Sequence, residues 1–122
     1  MEQVVIVGAS RTPMGGLQGA LSELGAPALG GAALKEAMRQ AGVGSVDEVL
    51  MGCVLPAGQG QAPARQASFL AGLGEEVPCT TLNKMCGSGM KTAMMGFDQL
   101  RLGLTNLVAV GGMESMTNAT RL

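Results

Sequence analysis

Residues 80–90 read Thr-Thr-Leu-Asn-Lys-Met-Cys-Gly-Ser-Gly-Met, and Cys86 within them is the side chain best placed for covalent chemistry. A strand pattern runs from Thr80 to Met85 and a helical pattern runs on from Gly87, which puts the cysteine at a sharp strand-to-helix turn. A sulfur there lies beside the unpaired N–H groups of a first helical turn, at the positive end of the helix dipole, where thiolate is favoured over thiol. Gly87 and Gly89 remove side chains that would crowd an incoming substrate. The exposed N–H groups, that of Cys86 included, could face a carbonyl oxygen that gains charge as it is attacked. The chemistry implied is nucleophilic attack by a thiol with its own oxyanion donor.

Two simpler readings of the same residues stay open. Cys86 fits a small packing residue, with Gly-Ser-Gly an ordinary turn that Ser88 caps. The glycines also suggest a phosphate loop, although neither the Walker lysine pattern nor the GxGxxG spacing is present. The chain has no histidine, so the most usual base for activating a thiol must come from outside it. The three cysteines, 53, 79 and 86, are odd in number and lack a CxxC spacing, which argues for free thiols over a disulfide framework or a zinc site. Cys53, inside an apolar run, reads as a core residue and Cys79 as a spectator.

The elements that must position Cys86 follow from hydrophobic periodicity. Val4-Val5-Ile6-Val7, ended by Gly8, is a β-branched run of the kind buried on both faces of a parallel sheet. An irregular glycine-rich segment follows, with Arg11-Thr12-Pro13 near its start and Leu17, Leu21 and Leu24 spaced for a helical turn. Pro27 opens a helix in which Leu34, Ala37, Met38 and Ala41 share one face, and Gly42 stops it. Residues 49–55 form a second apolar strand closed by Pro56, and residues 63–73 a second helix with Ala64, Ala67, Leu70 and Ala71 on one side. The Cys86 strand comes third. A third helix runs from about Gly87 to Leu102 with Met90, Ala93, Met94 and Phe97 on one face, and Leu107-Val108-Ala109-Val110 is a fourth strand before Gly111-Gly112. The fold class is therefore α/β, a βαβαβαβ run on a parallel sheet with right-handed crossovers, expected as a single incomplete domain over residues 1–122.

Composition excludes several function classes. A net charge of −1 and an aromatic content of 2% leave no basic patch or stacking platform for nucleic acid. No apolar stretch is long enough for a membrane helix, and the first residues enter a strand pattern without a basic leader, so a cytoplasmic protein is expected. Met85, Met90, Met94 and Met95 could shape a pocket near the cysteine, but at helical spacing they read as core. Arg11 reads equally as a phosphate ligand and as a structural residue, and Gly111 and Gly112 would allow close backbone approach at the sheet's carboxyl edge.

Residues 83–91, Asn-Lys-Met-Cys-Gly-Ser-Gly-Met-Lys, resemble the nucleophile motif of the thiolases, coenzyme A-dependent acyltransferases of lipid and fatty acid metabolism. Three further blocks are similar to that family in the same order: Arg11-Thr12-Pro13, residues 58–67, and Gly111-Gly112-Met113-Glu114-Ser115-Met116. The resemblance implies that Cys86 is acylated by a substrate thioester, with its backbone N–H as oxyanion donor and Asn83, Gly87, Ser88 and Gly89 supporting the turn. It further implies coenzyme A and acyl-CoA as substrates and no covalently bound cofactor. An acetoacetyl-CoA type of thiolase is the nearer likeness. The chain would be the front part of the N-terminal half, inactive alone, its partners being the remainder of a thiolase chain and a homodimer or homotetramer assembled through the strand before the nucleophile, Thr80 to Lys84. The competing expectation is a non-catalytic α/β binding or regulatory module; a thiol redox sensor is a third.

Overall fold

In the computed structural model, which describes residues 3–121, three parallel strands in the order β2-β1-β3 carry helices on both faces. The two ends of the expected 1–122 domain, residues 1, 2 and 122, lie outside the described residues. In chain order the elements are α1 (Ala26–Ala41), β1 (Glu48–Gly52), α2 (Pro63–Leu70), β2 (Cys79–Leu82), α3 (Ser88–Arg101), β3 (Val108–Gly112) and a short 3-10 helix (Met116–Asn118). Helix α1 carries Pro27 in its first turn, where a missing N–H costs nothing, and ends as Gly42 adopts φ +70, the left-handed conformation glycine enters without a Cβ penalty.

β1 is the central strand and is almost wholly buried. Its alternation assigns one face to each layer: Val49 and Met51 join Cys53 in a core with Ala26, Leu34 and Met38 of α1 and Ala64 and Ala67 of α2, while Gly52 meets α3. Both helical layers come close because the contact residues are small. A Cβ on Gly31 would sit 2.7 Å from Leu70 Cβ, and one on Gly96 2.7 Å from Val110 Cγ1, so α1 meets α2, and α3 meets β3, at distances a larger residue would forbid.

Two expectations are corrected. Residues 4–7 are not a strand: Val5, Ile6 and Val7 are more than half exposed and no ladder partner exists for them among the described residues. A β-branched run becomes a strand only when another strand supplies its hydrogen bonds, and this one instead lies along α1, where Ala9 N–H donates to Gln40 Oε1 and Gly8 packs against the Ala37 backbone. The leucines of 17–24 do lie in short turns, as their spacing suggested, with Gly19, Ser22 and Leu24 each donating to the residue three before. Finally, the Met90, Met94 and Phe97 face of α3 is not core. The helix buries Ser88, Thr92 and Gly96 and leaves the apolar stripe in solvent.

Asp47 ties the loops at the amino ends of two strands together. Its carboxylate accepts the N–H groups of Asn106 (2.7 Å) and Leu107 (3.1 Å), while its own N–H donates to Leu107 O. Those two backbone donors hold its carboxyl below the usual aspartate value. A lowered folded-state value contributes stability above the unfolded value and loses it as pH falls through the folded one. Asp47→Ala is therefore expected to melt at lower temperature than the parent at neutral pH, and the gap should close as pH drops below 3.8. Thermal scans at pH 7 and below pH 3 check this, and a gap that widens in acid refutes it.

Candidate active site at the turn into helix α3

The predicted site residues come together at the turn between β2 and α3. Met85 has φ +51, the left-handed region that a non-glycine residue enters at a cost of roughly 1–2 kcal/mol. It reverses the chain so that Cys86 stands exposed at the tip. Hydrogen bonds of three residues, Ser88, Asn83 and Gly87, hold that conformation. Ser88 Oγ accepts Lys84 N–H (2.9 Å) and donates to Met85 O (2.6 Å), spanning the strained residue from inside. Asn83 Oδ1 accepts Met85 N–H (2.8 Å), and Asn83 Nδ2 donates to Val54 O beyond the end of β1 (3.4 Å). Gly87 is the N-cap; its N–H donates to Lys84 O and its carbonyl accepts Lys91 N–H. Ser88, read from sequence as a helix cap, makes no cap bond and instead braces the turn, which its 5% exposure suits.

Backbone packing fixes where this turn sits. A Cβ on Gly52, the last residue of β1, would lie 2.6 Å from Ser88 Cβ and 2.8 Å from the Ser88 carbonyl carbon. A Cβ on Gly112, the last of β3, would lie 3.1 Å from Gly89 Cα. Thr92 Oγ1, fully buried, has the Gly89 and Gly111 carbonyls at 2.6 and 3.1 Å. The first turn of α3 is thus pressed onto the carboxyl ends of β1 and β3, the edge where open α/β sheets receive ligands.

Glu114, to which sequence reasoning gave no role of its own, organises the neighbouring loop. Its carboxylate accepts the N–H groups of Val54 (2.7 Å) and Leu55 (3.1 Å), and the Cys53 thiol donates to it at 3.7 Å. The one signal in the sequence is a lone carboxylate two residues after an apolar strand that ends in two glycines, at the sheet edge. Cys53 is 1% exposed, and burial first, then the Glu114 charge, pushes its thiol up to about 11. Cys79, half-buried, points its thiol at Val77 O. Arg11 lies exposed and donates to Thr12 O in its own loop. Of the three sulfurs, only Cys86 is presented to solvent.

The sequence profile described as "Thiolase, N-terminal domain" matches residues 4–122. The chain belongs to the thiolase family. Among its relatives, the mitochondrial acetyl-CoA acetyltransferase of Xenopus tropicalis is 51% identical over 97% of this chain and 29% of its own length. The acetyl-CoA acetyltransferase of Pseudomonas aeruginosa is 48% identical over 98% of this chain and 31% of its own. A crystal structure of a thiolase from Ascaris suum in complex with coenzyme A superposes with a TM-score of 0.91, at 37% identity, over 94% of this chain and 31% of that one. The chain spans under a third of the length of these relatives. The thiolase likeness at this level confirms the α/β class expected from the strand and helix pattern. No helix among the described residues is long and apolar enough to cross a membrane.

Proposed function

We propose that this chain supplies the nucleophilic half of a thiolase active site, with Cys86 as the residue that carries the acyl group. The observation behind this is the exposed thiol at the tip of a braced, left-handed turn over the carboxyl edge of the sheet. The relatives' names support the acetyl-CoA acetyltransferase type, and the Ascaris suum complex supports coenzyme A thioesters as the substrate class. In the degradative direction the Cys86 thiolate attacks the 3-keto carbonyl of acetoacetyl-CoA. The bond between the carbonyl and the neighbouring carbon breaks, that carbon takes a proton, acetyl-CoA leaves, and the acetyl group stays on sulfur. Free coenzyme A then attacks the thioester and regenerates the cysteine. Condensation of two acetyl-CoA molecules is the same path reversed. A backbone N–H at Cys86 facing the carbonyl oxygen stabilises the charge that develops on attack more than the ground state.

Lacking histidine, the chain by itself has no imidazole to take the thiol proton, and neither Cys53, with its thiol raised, nor Cys79, pointed at a carbonyl, is set up as a second acid or base. Turnover therefore requires residues from outside these 122, and assembly as a homodimer or homotetramer through residues 80–84 belongs to the same proposal. Free thiols suit a reducing compartment, whether cytoplasm or, as for the Xenopus tropicalis relative, mitochondrion.

Limited iodoacetamide labelling with peptide mapping tests the assignment. Cys86 is expected to label roughly 10-fold or more faster than Cys53, because reaction needs both access and thiolate. Equal rates at the two would remove Cys86 from the role and favour the non-catalytic module.

A further inference from the structure

We propose that Glu114, on the reading that Cys86 is the nucleophile, is a positioning residue for acyl transfer that acts through the Val54 peptide and the Asn83 amide. The central strand makes its last ladder bonds at its end: Gly52 O accepts Met113 N–H and Cys53 N–H donates to Leu82 O, both at 2.9 Å. Past that point the backbone donors turn to a side chain. Val54 N–H goes to one carboxylate oxygen of Glu114 at 2.7 Å and Leu55 N–H to the other at 3.1 Å. A carboxylate suits two consecutive N–H groups, because both oxygens accept and the charge strengthens each bond. Glu114 is itself fixed from both sides. Met113 N–H is tied to Gly52 O, and the buried Ser115 donates to Leu24 O at 3.0 Å and accepts Asn118 Nδ2 at 2.9 Å.

Val54 passes that position on to the turn. Its carbonyl accepts Asn83 Nδ2 at 3.4 Å, while Asn83 Oδ1 accepts Met85 N–H at 2.8 Å. The two ends fix the amide's orientation: only its oxygen can face the Met85 N–H, so its NH2 group faces the Val54 carbonyl. At 3.4 Å that bond stands near the limit of hydrogen bonding, and a retreat of Val54 by about 0.2 Å breaks it. Asn83 is then free to turn. Met85 loses one of the two side chains that hold its φ at +51, Ser88 being the other. The Cys86 N–H belongs to the planar peptide that follows Met85, so its direction changes with the Met85 backbone angles. An oxyanion donor works only when aimed at the place where charge develops.

Two reactions of the same thiol test this. In acetyl capture the Cys86 thiolate attacks acetyl-CoA, a new carbon–sulfur bond forms, the bond to coenzyme A breaks and coenzyme A leaves as its thiolate, with charge passing through the carbonyl oxygen. Alkylation by iodoacetamide displaces iodide and puts no charge on an oxygen, so it needs only access and thiolate. Both are run at about pH 9, where an ordinary thiol is largely ionised without a protein base, and well below each variant's melting temperature as read by circular dichroism. Glu114→Gln keeps one acceptor and turns an NH2 group toward the other N–H. It is expected to slow capture at Cys86 by roughly 10-fold and to leave alkylation there within about 2-fold of the parent. Asn83→Ala should give the same split from the other end of the path, and the double variant should be no slower than the slower single one, because both changes cut one connection. Should Glu114→Gln not hold its fold, Glu114→Asp, charged but shorter, takes its place with the same expectation. Unchanged capture in the Glu114 variant, capture and alkylation falling together, or losses that multiply in the double variant would each overturn the proposal. A parent chain that captures no acetyl group at Cys86 would instead remove the nucleophile assignment, and this proposal with it.

Discussion

Gly52→Ala is expected to destabilise the chain by about 1–3 kcal/mol, the usual result of forcing a methyl group into a closed contact. The added carbon would stand 2.6 Å from Ser88 Cβ and 2.8 Å from the Ser88 carbonyl carbon. The second neighbour is backbone at the start of a helix and cannot be relieved by a rotamer change, so α3 must move away from β1. That movement is transmitted to the site, because Ser88 Oγ holds both Lys84 and Met85 and so sets where the turn places Cys86. If Cys86 is the nucleophile as proposed, its displacement by about 1 Å in a complete enzyme containing this sequence would lower acyl transfer by on the order of 10²-fold. Gly44→Ala is the matched control: nothing lies within 4 Å of its Cβ position, so it should be neutral or stabilising by up to about 1 kcal/mol. Urea titrations measure both. An unchanged midpoint for Gly52→Ala would mean that the helix is not held as close to the strand as these distances require.

This contact also shows where sequence reasoning stops. That Cys86 lies at a strand-to-helix turn is legible, because the change from strand to helical periodicity brackets it and two glycines flank it. The helices α1 and α3 and the strand β1 are legible for the same reason, and Gly42 marks its helix end by the conformation it must adopt. Which side of α3 faces the sheet is not legible. The apolar stripe of Met90, Met94 and Phe97 has the spacing of a buried face, yet the helix packs through Ser88, Thr92 and Gly96, residues chosen for small size. Periodicity reports that a stripe exists and says nothing of what it meets; close backbone packing selects small residues, which carry no hydrophobic signal at all. Residues 4–7 fail for a related reason, since strand character is a property of a pair and only one member is visible in the local sequence. Met85 is hidden altogether: nothing about a methionine announces a left-handed φ, and the conformation is imposed by Ser88 and Asn83 from either side.

Removing the sulfur should have the largest functional effect of any single change. Cys86→Ala takes away one exposed atom and leaves the contacts of Asn83, Ser88 and Gly87 intact, so stability should stay within about 0.5 kcal/mol of the parent. Acyl capture, followed by intact mass after exposure to acetyl-CoA, should disappear from the variant. In a longer protein that carries this sequence together with the missing base, kcat should fall by roughly 10⁴-fold or more with little change in KM, the pattern expected when a group that bonds to the substrate is removed but the binding surface stays. Cys53→Ala should behave in the opposite way. That thiol is buried, held as SH and hydrogen-bonded to Glu114, so its loss should cost roughly 1 kcal/mol of stability while acyl capture at Cys86 persists. Capture that survived Cys86→Ala and vanished in Cys53→Ala would relocate the chemistry to the Glu114 cluster, where the only thiol is one that burial keeps protonated at neutral pH. An outcome of that kind is incompatible with the exposure and hydrogen bonding of the two sulfurs, so the pair of variants tests the geometry of the turn as directly as it tests the assignment of the nucleophile.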